Sequence, residues 1–244
     1  MKANLPPVAV HNVHKTYRRG GIATPVLQGV NLVVGHGRCA VLTGPSGSGK
    51  STLLSILGTM LSPDQGSVRI AGHDLGRLDA AARTRLRREL IGFVFQRFEL
   101  LRGLSALDNV AVPLALRRMP QRAAQKRAAE ALAAVGLADK LHSHPRHLSA
   151  GQCQRVALAR ALAGEPELIL ADEPTASLDE QHGLELMGLL RRLTAEQGRT
   201  AVIVTHDPRI LRFADVVYRL AHGRLETAER PRASLISAAE EVLT

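Results

Sequence analysis

The sequence predicts an α/β fold: a mostly parallel β-sheet covered by helices on both faces, with an antiparallel β region and an inserted α-helical subdomain. Three observations lead to this prediction. Apolar runs of strand length alternate with longer helical stretches along most of the chain. A glycine-rich turn at residues 44–49 joins one apolar run directly to a helical pattern. Residues 105–140 are rich in Ala, Leu and Arg and predict a separate group of helices.

Element boundaries are predicted from turn residues, caps and apolar periodicity. Asp79 is expected to cap a helix, Pro113 and Pro120 to interrupt the helical stretch, and Gly136 to end a helix. In chain order, we predict a strand from residue 8 that ends in a turn at 18–21, strands at 26–34 and 39–42, a helix at 52–57, a strand at 66–72, a helix at 79–90, a strand at 91–95, helices within 105–140, a helix at 152–162, a strand at 168–171, a helix at 180–197, a strand at 200–205, a helix at 208–214 and a strand at 216–220. The tail from Ala228 onward is expected either to form one short amphipathic helix or to stay loose.

The composition is that of a globular protein with an aliphatic core. Of 244 residues, 45% are hydrophobic, only 2% are aromatic and none is Trp. The two cysteines, Cys39 and Cys153, fit a reducing compartment, and neither belongs to a C-x-x-C pair, which argues against metal or redox chemistry. The N-terminus lacks a hydrophobic signal region, and no apolar run reaches the roughly 18 residues of a membrane span. We therefore expect a cytosolic protein that would need another chain to work at a membrane.

The formal net charge of +10 allows two kinds of partner: nucleic acid, or an anionic membrane surface or acidic protein. The Arg residues are scattered along helical stretches such as 83–88 and 191–192, and no aromatic residues are interleaved with them. Such charge runs are typical of solvated helix faces, so we do not expect a nucleic-acid partner.

The most informative segment is the glycine-rich turn, because its residues fit G-x-x-x-x-G-K-[ST] between a buried strand and a helix. They are Gly44, Pro45, Ser46, Gly47, Ser48, Gly49, Lys50 and Ser51, followed by Thr52. The fixed glycines permit backbone conformations that a Cβ would obstruct, so the amides of residues 47–52 can point at phosphate oxygens. Lys50 is expected to reach the β- and γ-phosphates, and the Ser51 hydroxyl to ligate Mg²⁺.

Further polar residues follow the ends of other predicted strands, where parallel sheets bind their ligands. One apolar run ends in Asp172, which is expected to hold Mg²⁺, and Glu173, which can act as general base on an attacking water. His206 follows a second strand and could donate a hydrogen bond to the γ-phosphate. Gln96 follows a third strand and is expected to contact Mg²⁺ or the water.

A second anion site is predicted at the start of the helix after residue 148. Ser149 and Gly151 lie at its N-terminus, with Gln152 beside them, and exposed amides in such a position attract phosphate. One chain with one phosphate loop does not need two γ-phosphate sites. We therefore expect a head-to-tail dimer in which this site closes over ATP held by the partner.

These motifs, in this order, resemble those of the ATPase subunits of ABC transporters. The family's motifs are matched by the Walker A loop at 44–51, the Q-loop at Gln96, the signature at 148–152, the Walker B strand at 168–172 with Glu173, the D-loop at 177–179 and the H-loop at His206. The resemblance implies a P-loop NTPase (RecA-like) core in an ATPase domain over 1–227, a helical subdomain near 96–160 and a C-terminal tail at 228–244.

The resemblance also assigns Asp179 and Tyr17 to the nucleotide site, the latter as an adenine-stacking aromatic; the alternative for Tyr17 is an exposed edge-strand residue. It implies ATP and Mg²⁺ as cofactors, a homodimer in the ATP-bound state, and a membrane permease as partner, with a periplasmic adaptor in tripartite systems. The permease is expected to contact the groove near residues 96–109. The protein is expected in the cytoplasm, peripheral on the inner face of the cell membrane.

Within the family, residues 92–101 and 107–114 are most similar to the LolD, MacB, DevA and FtsE group. Three functions follow: the energising subunit of an exporter, lipoprotein-releasing or tripartite efflux system; a cell-envelope regulator like FtsE without a transported substrate; and a soluble DNA-linked ABC ATPase. The last normally needs long coiled coils or duplicated ATPase domains, which this sequence does not contain. Ala150 stands where the family usually has Gly, but Gly151 is kept, so we expect an active signature.

Overall fold

The computed structural model describes residues 5–229, and the side chains of residues 5–226. The strands are β1 (Val8–Arg19), β2 (Ile22–Val34), β3 (Cys39–Thr43), β4 (Gln65–Ile70), β5 (His73–Asp74), β6 (Ile91–Val94), β7 (Leu168–Asp172), β8 (Thr200–Val204), β9 (Val216–Ala221) and β10 (Arg224–Glu229). The α-helices are α1 (Lys50–Leu57), α2 (Ala80–Leu90), α3 (Ala106–Leu116), α4 (Gln121–Ala134), α5 (Ala150–Ala163) and α6 (Glu180–Glu196). Short 3-10 helices occupy Leu75–Arg77, Ala138–Lys140, Pro145–His147 and Pro208–Phe213.

The central sheet has the strand order β10-β9-β3-β8-β7-β6. All of its pairs are parallel except the pair of β10 and β9 at one edge. Its middle strands are apolar on both faces because other elements of the fold cover both sides. Val41, Ile169 and Ile203 enter one hydrophobic cluster with helices α3 to α6. Alternate residues of the same strands enter a second cluster with α1 and the smaller sheet.

The smaller sheet is antiparallel, with the order β2-β1-β4-β5. Val8 pairs with Val34 on one side and with Ile70 on the other, so the first strand lies between β2 and β4. The buried face of this sheet packs in the same cluster as Leu53 and Leu57 of α1. The predicted antiparallel β region is therefore present, and it backs the helix that follows the glycine-rich turn.

Helices α3, α4 and α5 pack against one another and form the predicted helical layer. The prediction that Pro113 interrupts this stretch is wrong, because Pro113 lies inside α3. Val110 and Leu114, on either side of it, are fully buried, and this packing offsets the lost backbone hydrogen bond. Pro120 does precede a helix, and Gly136 follows the end of α4 with φ +76°.

Two short strands were not predicted, and several element boundaries differ by one to four residues. Strands β5 and β10 lacked a strong local signal, and β2 begins four residues earlier than residue 26. The turn between β9 and β10 contains His222 and Gly223, both with positive φ, as tight hairpins require. Strand β10 continues two residues past the domain boundary predicted at residue 227, and the rest of the predicted tail lies outside the described residues.

Candidate ATP-binding site

The predicted site residues follow the carboxyl ends of neighbouring strands in the central sheet. The glycine-rich loop follows β3, Asp172 ends β7, His206 follows β8 and Gln96 follows β6, and the strand order β3-β8-β7-β6 makes these ends adjacent. Parallel pairing aligns the strand ends, so residues far apart in sequence meet at one edge. This edge is the candidate site.

The loop needs glycine at its two fixed positions for steric reasons. Gly44 has φ +144°, and a Cβ there would lie 2.0 Å from the carbonyl oxygen of Leu220. Gly49 has φ +103° and is the N-cap of α1; its Cβ would lie 2.8 Å from the carbonyl oxygen of Val26. The loop is thus packed against β9 and β2.

The polar atoms of the loop fit a bound phosphate chain. Lys50 Nζ donates to the carbonyl oxygens of Gly44 at 2.8 Å and Pro45 at 2.9 Å, so the ammonium group lies across the mouth of the loop. The Ser48 hydroxyl is buried and has no hydrogen-bond partner within the described chain. A buried orphaned hydroxyl beside a lysine and a helix N-terminus is the chemistry of an anion cradle. The predicted loop residues therefore lie together and fit phosphate.

Ser51 and Asp172 meet as predicted for a Mg²⁺ site. The Ser51 hydroxyl donates to Asp172 Oδ1 at 3.3 Å, although the two residues are far apart in sequence. Burial raises the pKa of the Asp172 carboxyl; the hydrogen bond from Ser51 opposes this, and the nearby Glu173 adds to it. A hydroxyl and a half-buried carboxylate are hard oxygen ligands, which suit Mg²⁺. These two residues fit the ion.

Glu173 and His206 are in direct polar contact. Nδ1 of His206 lies 2.8 Å from Glu173 Oε1, and the backbone N–H of His206 donates to Oε2 at 3.3 Å. Glu173 has φ +47°, an unfavourable conformation that costs about 1–2 kcal/mol for a residue with a Cβ. Its backbone N–H donates to the carbonyl oxygen of Val204 at 2.9 Å, which holds it there. Strain of this kind is concentrated at functional sites.

The side chain of Gln96 is exposed, and the backbone of its loop is hydrogen-bonded to neighbouring segments. The Ser177 hydroxyl donates to the carbonyl oxygen of Gln96 at 3.3 Å.

Sequence reasoning missed Gln154, a fully buried residue of α5 whose amide donates to the carbonyl oxygens of Pro174 at 2.7 Å and Phe95 at 3.4 Å. A polar residue at a buried position of a helix was the available signal. Gln154 links the Q-loop to the segment that follows Glu173.

The signature residues form a second cluster at the N-terminus of α5. Ser149 caps the helix by accepting from the backbone N–H of Gln152 at 3.2 Å, and the Gln152 side chain accepts from the N–H of Ser149 at 2.9 Å. Ala150 is the first residue of α5 and does not have positive φ. The replacement of Gly by Ala therefore causes no backbone strain at this position.

The D-loop residue Asp179 lies in this second cluster. The first cluster comprises the phosphate loop and the strand-end residues Gln96, Asp172, Glu173 and His206. Asp179 caps α6 by accepting from the N–H of His182 at 3.1 Å, and its carboxylate lies 2.6 Å from Nδ1 of the same histidine. The ring of His182 also lies beside Gly151, 3.8 Å from the position of an added Cβ. His182 was not predicted; it joins the signature to the D-loop within one chain.

Tyr17 lies near the tip of the β1–β2 hairpin, pairs with Thr24 and is 45% exposed. The phosphate loop packs against the same strand, β2, through the contact between Gly49 and Val26. Tyr17 is therefore exposed enough to stack on a nucleobase, and this exposure fits an edge-strand residue equally well.

The sequence profile of the ABC transporter family matches residues 27–176. The chain belongs to the ABC transporter family. As the motifs predict, it is an ATPase of that family, related to LolD and to the ATP-binding part of MacB. Within residues 5–229, none of the helices combines the length and the hydropathy needed to cross a bilayer.

Two relatives of this ABC protein illustrate the group. It is 47% identical over 223 residues to the lipoprotein-releasing system ATP-binding protein LolD of Anaeromyxobacter dehalogenans, covering 90% of this chain and 92% of that protein. It is 45% identical over 229 residues to the macrolide export ATP-binding/permease protein MacB 1/2 of Paracoccus denitrificans, covering 94% of this chain and 34% of that protein. The chain thus spans about a third of the length of that second relative.

Solved structures confirm the predicted fold. The ATP-binding cassette MJ0796 of Methanocaldococcus jannaschii, a dimer in a post-hydrolysis state bound to ADP and Pi, has a TM-score of 0.86 and 43% identity, covering 93% of this chain and 99% of that chain. CbiO1 of Clostridium perfringens, part of the transporter complex cbiONQ, has a TM-score of 0.84 and 29% identity, covering 98% of this chain and 93% of that chain.

Proposed function

We propose that this protein is the ATP-hydrolysing subunit of an ABC transporter and energises a separate membrane permease of the export, lipoprotein-release or tripartite-efflux type. The contact between Glu173 and His206, beside the Ser51–Asp172 pair, carries the ATPase part of this proposal. The permease part is supported by the names of the LolD and MacB relatives. No observation on residues 5–229 favours the alternative of an FtsE-like regulator.

The residues of the first cluster divide the reaction among them. The loop amides and Lys50 bind the phosphates, and Lys50 exchanges its two carbonyl partners for phosphate oxygens. Ser51, Asp172 and Gln96 are proposed to hold Mg²⁺, which when bound neutralises charge on the β- and γ-phosphates. Glu173 accepts the proton of the attacking water at its carboxylate, and His206 orients that carboxylate.

The second cluster is proposed to act on ATP held by a partner copy of the chain. The N-terminus of α5 offers backbone N–H groups and a positive helix end, with Gly151 next to its cap. In such a homodimer, each of two ATP molecules lies between the phosphate loop of one copy and the signature of the other copy. The dimeric state of the MJ0796 cassette supports this arrangement.

The permease is proposed to dock in a groove between α2, α3 and the end of α5. This groove has a volume of about 470 Å³ and an apolar floor that includes Phe93, Phe95 and Leu116. The side chain of Leu116 is 61% exposed and lies beside Phe93 and Phe95, so the groove presents several apolar side chains together, as a protein-binding surface does. Docking there would place the protein on the cytoplasmic face of the membrane. A periplasmic adaptor would then contact the permease and not this chain.

The ATPase part is tested with Glu173→Gln. This variant should bind Mg·ATP with unchanged affinity, form a stable dimer with ATP and hydrolyse it at least about a hundredfold more slowly, because the amide cannot accept the proton. Glu167→Gln is the matched control, since Glu167 is exposed and precedes the same strand. Hydrolysis by the Glu173 variant at the wild-type rate would remove this residue from its proposed role.

The permease part is tested by purifying the tagged protein from detergent-solubilised native membranes and identifying its partners by mass spectrometry. We expect a membrane permease with a large extracytoplasmic domain, and its loss when apolar groove residues are changed to Asp, as in Leu116→Asp. Recovery of nucleic acid or of a cell-division membrane protein, without such a permease, would contradict the transport proposal and leave the ATPase chemistry intact.

A further inference from the structure

The loop after Gln96 holds an unusual backbone conformation. Phe98 has φ +61° and Glu99 has φ +48°. Within residues 5–229 they are the only two consecutive non-glycine residues with positive φ. The left-handed region is unfavourable for residues with a Cβ, so such a pair persists only where neighbouring groups hold it.

One side chain holds both members of this pair. Arg160 of α5 donates from Nη1 to the carbonyl oxygen of Glu99 at 2.5 Å and from Nη2 to that of Phe98 at 2.7 Å. The planar guanidinium fork matches two adjacent acceptors, and bonds from a charged donor are stronger than neutral ones. Burial lowers the pKa of Arg160, because part of its charge is removed from water.

The same helix holds the loop on the other side of Gln96. Gln154, also on α5, donates to the carbonyl oxygen of Phe95 at 3.4 Å and to that of Pro174 at 2.7 Å. Gln96 therefore lies between two attachment points that both belong to α5. Since α5 begins at the signature, the position of the Q-loop depends on the position of the signature helix.

We propose that Arg160 is a positioning residue that keeps Phe98 and Glu99 in the left-handed conformation and thereby sets the position of Gln96 relative to the nucleotide site. The Q-loop is held under strain: when α5 moves away, the two hydrogen bonds break, the loop relaxes and Gln96 is displaced. This inference rests on the proposed function for the role of Gln96, but the conformational part concerns the nucleotide-free chain alone.

The conformational part is tested by hydrogen exchange on the full-length, nucleotide-free protein. The reporters are the backbone amides of Phe98, Glu99 and Leu101, which donate to the carbonyl oxygens of Phe95 and Arg97 and to Oδ1 of Asn109. Arg160→Gln should speed their exchange about tenfold, because both charged hydrogen bonds are lost. Arg160→Lys should speed their exchange about threefold, because an ammonium group can hydrogen-bond to one of the two carbonyl oxygens but does not match both.

The strain is tested by a second substitution in the same background. Glu99→Gly removes the Cβ that makes the left-handed conformation unfavourable, so Arg160→Gln/Glu99→Gly should exchange within about threefold of the wild type. Arg160→Gln/Glu99→Ala keeps the Cβ and should stay as fast as Arg160→Gln alone. Arg127→Gln is the control for losing an arginine that donates to a backbone carbonyl elsewhere, that of Ala163, and should leave the reporters unchanged.

The functional part is measured as separate kcat and KM values for ATP. Arg160→Gln should lower kcat about tenfold with KM within about twofold, and Glu99→Gly should restore most of the loss. Unchanged exchange in both Arg160 variants would overturn the proposal, and so would equal exchange in the Gly and Ala double variants. If the wild type did not hydrolyse ATP, the proposed function would fail, while the exchange data would still decide whether Arg160 holds the loop.

Discussion

His206 contacts the Glu173 carboxylate twice, once through its ring and once through its backbone N–H. Nδ1 of His206 lies 2.8 Å from a Glu173 carboxylate oxygen, and when that carboxylate is ionised it can only accept, so Nδ1 is then the donor. Nε2 of a neutral imidazole is then an acceptor. A hydrogen bond from His206 to a γ-phosphate therefore requires either a second proton on the ring or release from Glu173. The nucleotide-free site is thus arranged to orient the carboxylate first.

We expect His206→Ala to lower kcat by about a hundredfold or more while the affinity for Mg·ATP changes by less than about threefold. The physical reason is that Glu173 loses the ring that orients it, whereas the phosphate loop is untouched. Steady-state kinetics and nucleotide titration measure the two quantities. His11→Ala, at an exposed position of β1, is the control. A loss of affinity equal to the loss of rate would instead assign His206 to nucleotide binding.

Asp172→Asn should make the nucleotide-free protein slightly more stable, and it should weaken the binding of Mg·ATP. Burial raises the pKa of this carboxyl, so the folded chain loses stability as the pH rises through that pKa and the group ionises. Removing the charge should raise Tm by about 1–4 °C, a small effect because the group is partly exposed to water. The stabilisation by Mg·ATP should fall sharply. Thermal melts with and without Mg·ATP decide, and a lower Tm for the nucleotide-free variant would contradict the argument.

Gly44→Ala and Gly47→Ala form a matched pair within one loop. Both glycines have positive φ, but an added Cβ at Gly44 meets the Leu220 carbonyl oxygen at 2.0 Å, whereas at Gly47 nothing lies within 4 Å. Gly47→Ala should cost roughly 1 kcal/mol and Gly44→Ala roughly 2–4 kcal/mol of unfolding free energy. Denaturant melts of the nucleotide-free proteins measure the difference. Equal losses would show that β9 yields to the added methyl group.

Ala150→Gly should change ATP turnover by less than about twofold, because Ala150 has no positive φ that glycine would relieve. A tenfold gain in turnover for Ala150→Gly would show that the alanine impairs the signature.

Ser149→Ala should cost about 1 kcal/mol of stability through loss of the helix cap and should weaken ATP-dependent dimerisation. Turnover assays and analytical ultracentrifugation with ATP test both variants.

Much of the fold was predictable because its signals are local. The strand before Gly44 and the run that ends at Asp172 are short apolar segments bounded by turns, and both lie where predicted. The helix through Pro113 was not predictable in this way, since burial of its neighbours outweighs the local preference of proline. Strand β10 was missed because its pairing depends on a turn with two positive φ values, of which only Gly223 gives a sequence signal.

The sequence by itself determined the chemistry: which residues are available to bind phosphate, to hold a metal ion and to accept a proton, and in what order they occur. The tertiary structure alone decided which of them meet. Parallel pairing of β3, β8 and β7 brings Ser51 to Asp172 and Glu173 to His206, and packing of α5 gives Gln154 and Arg160 their hold on the Q-loop. These contacts join residues distant in sequence, and their distances depend on the packing of the whole sheet and its helices, which no local pattern of residues specifies.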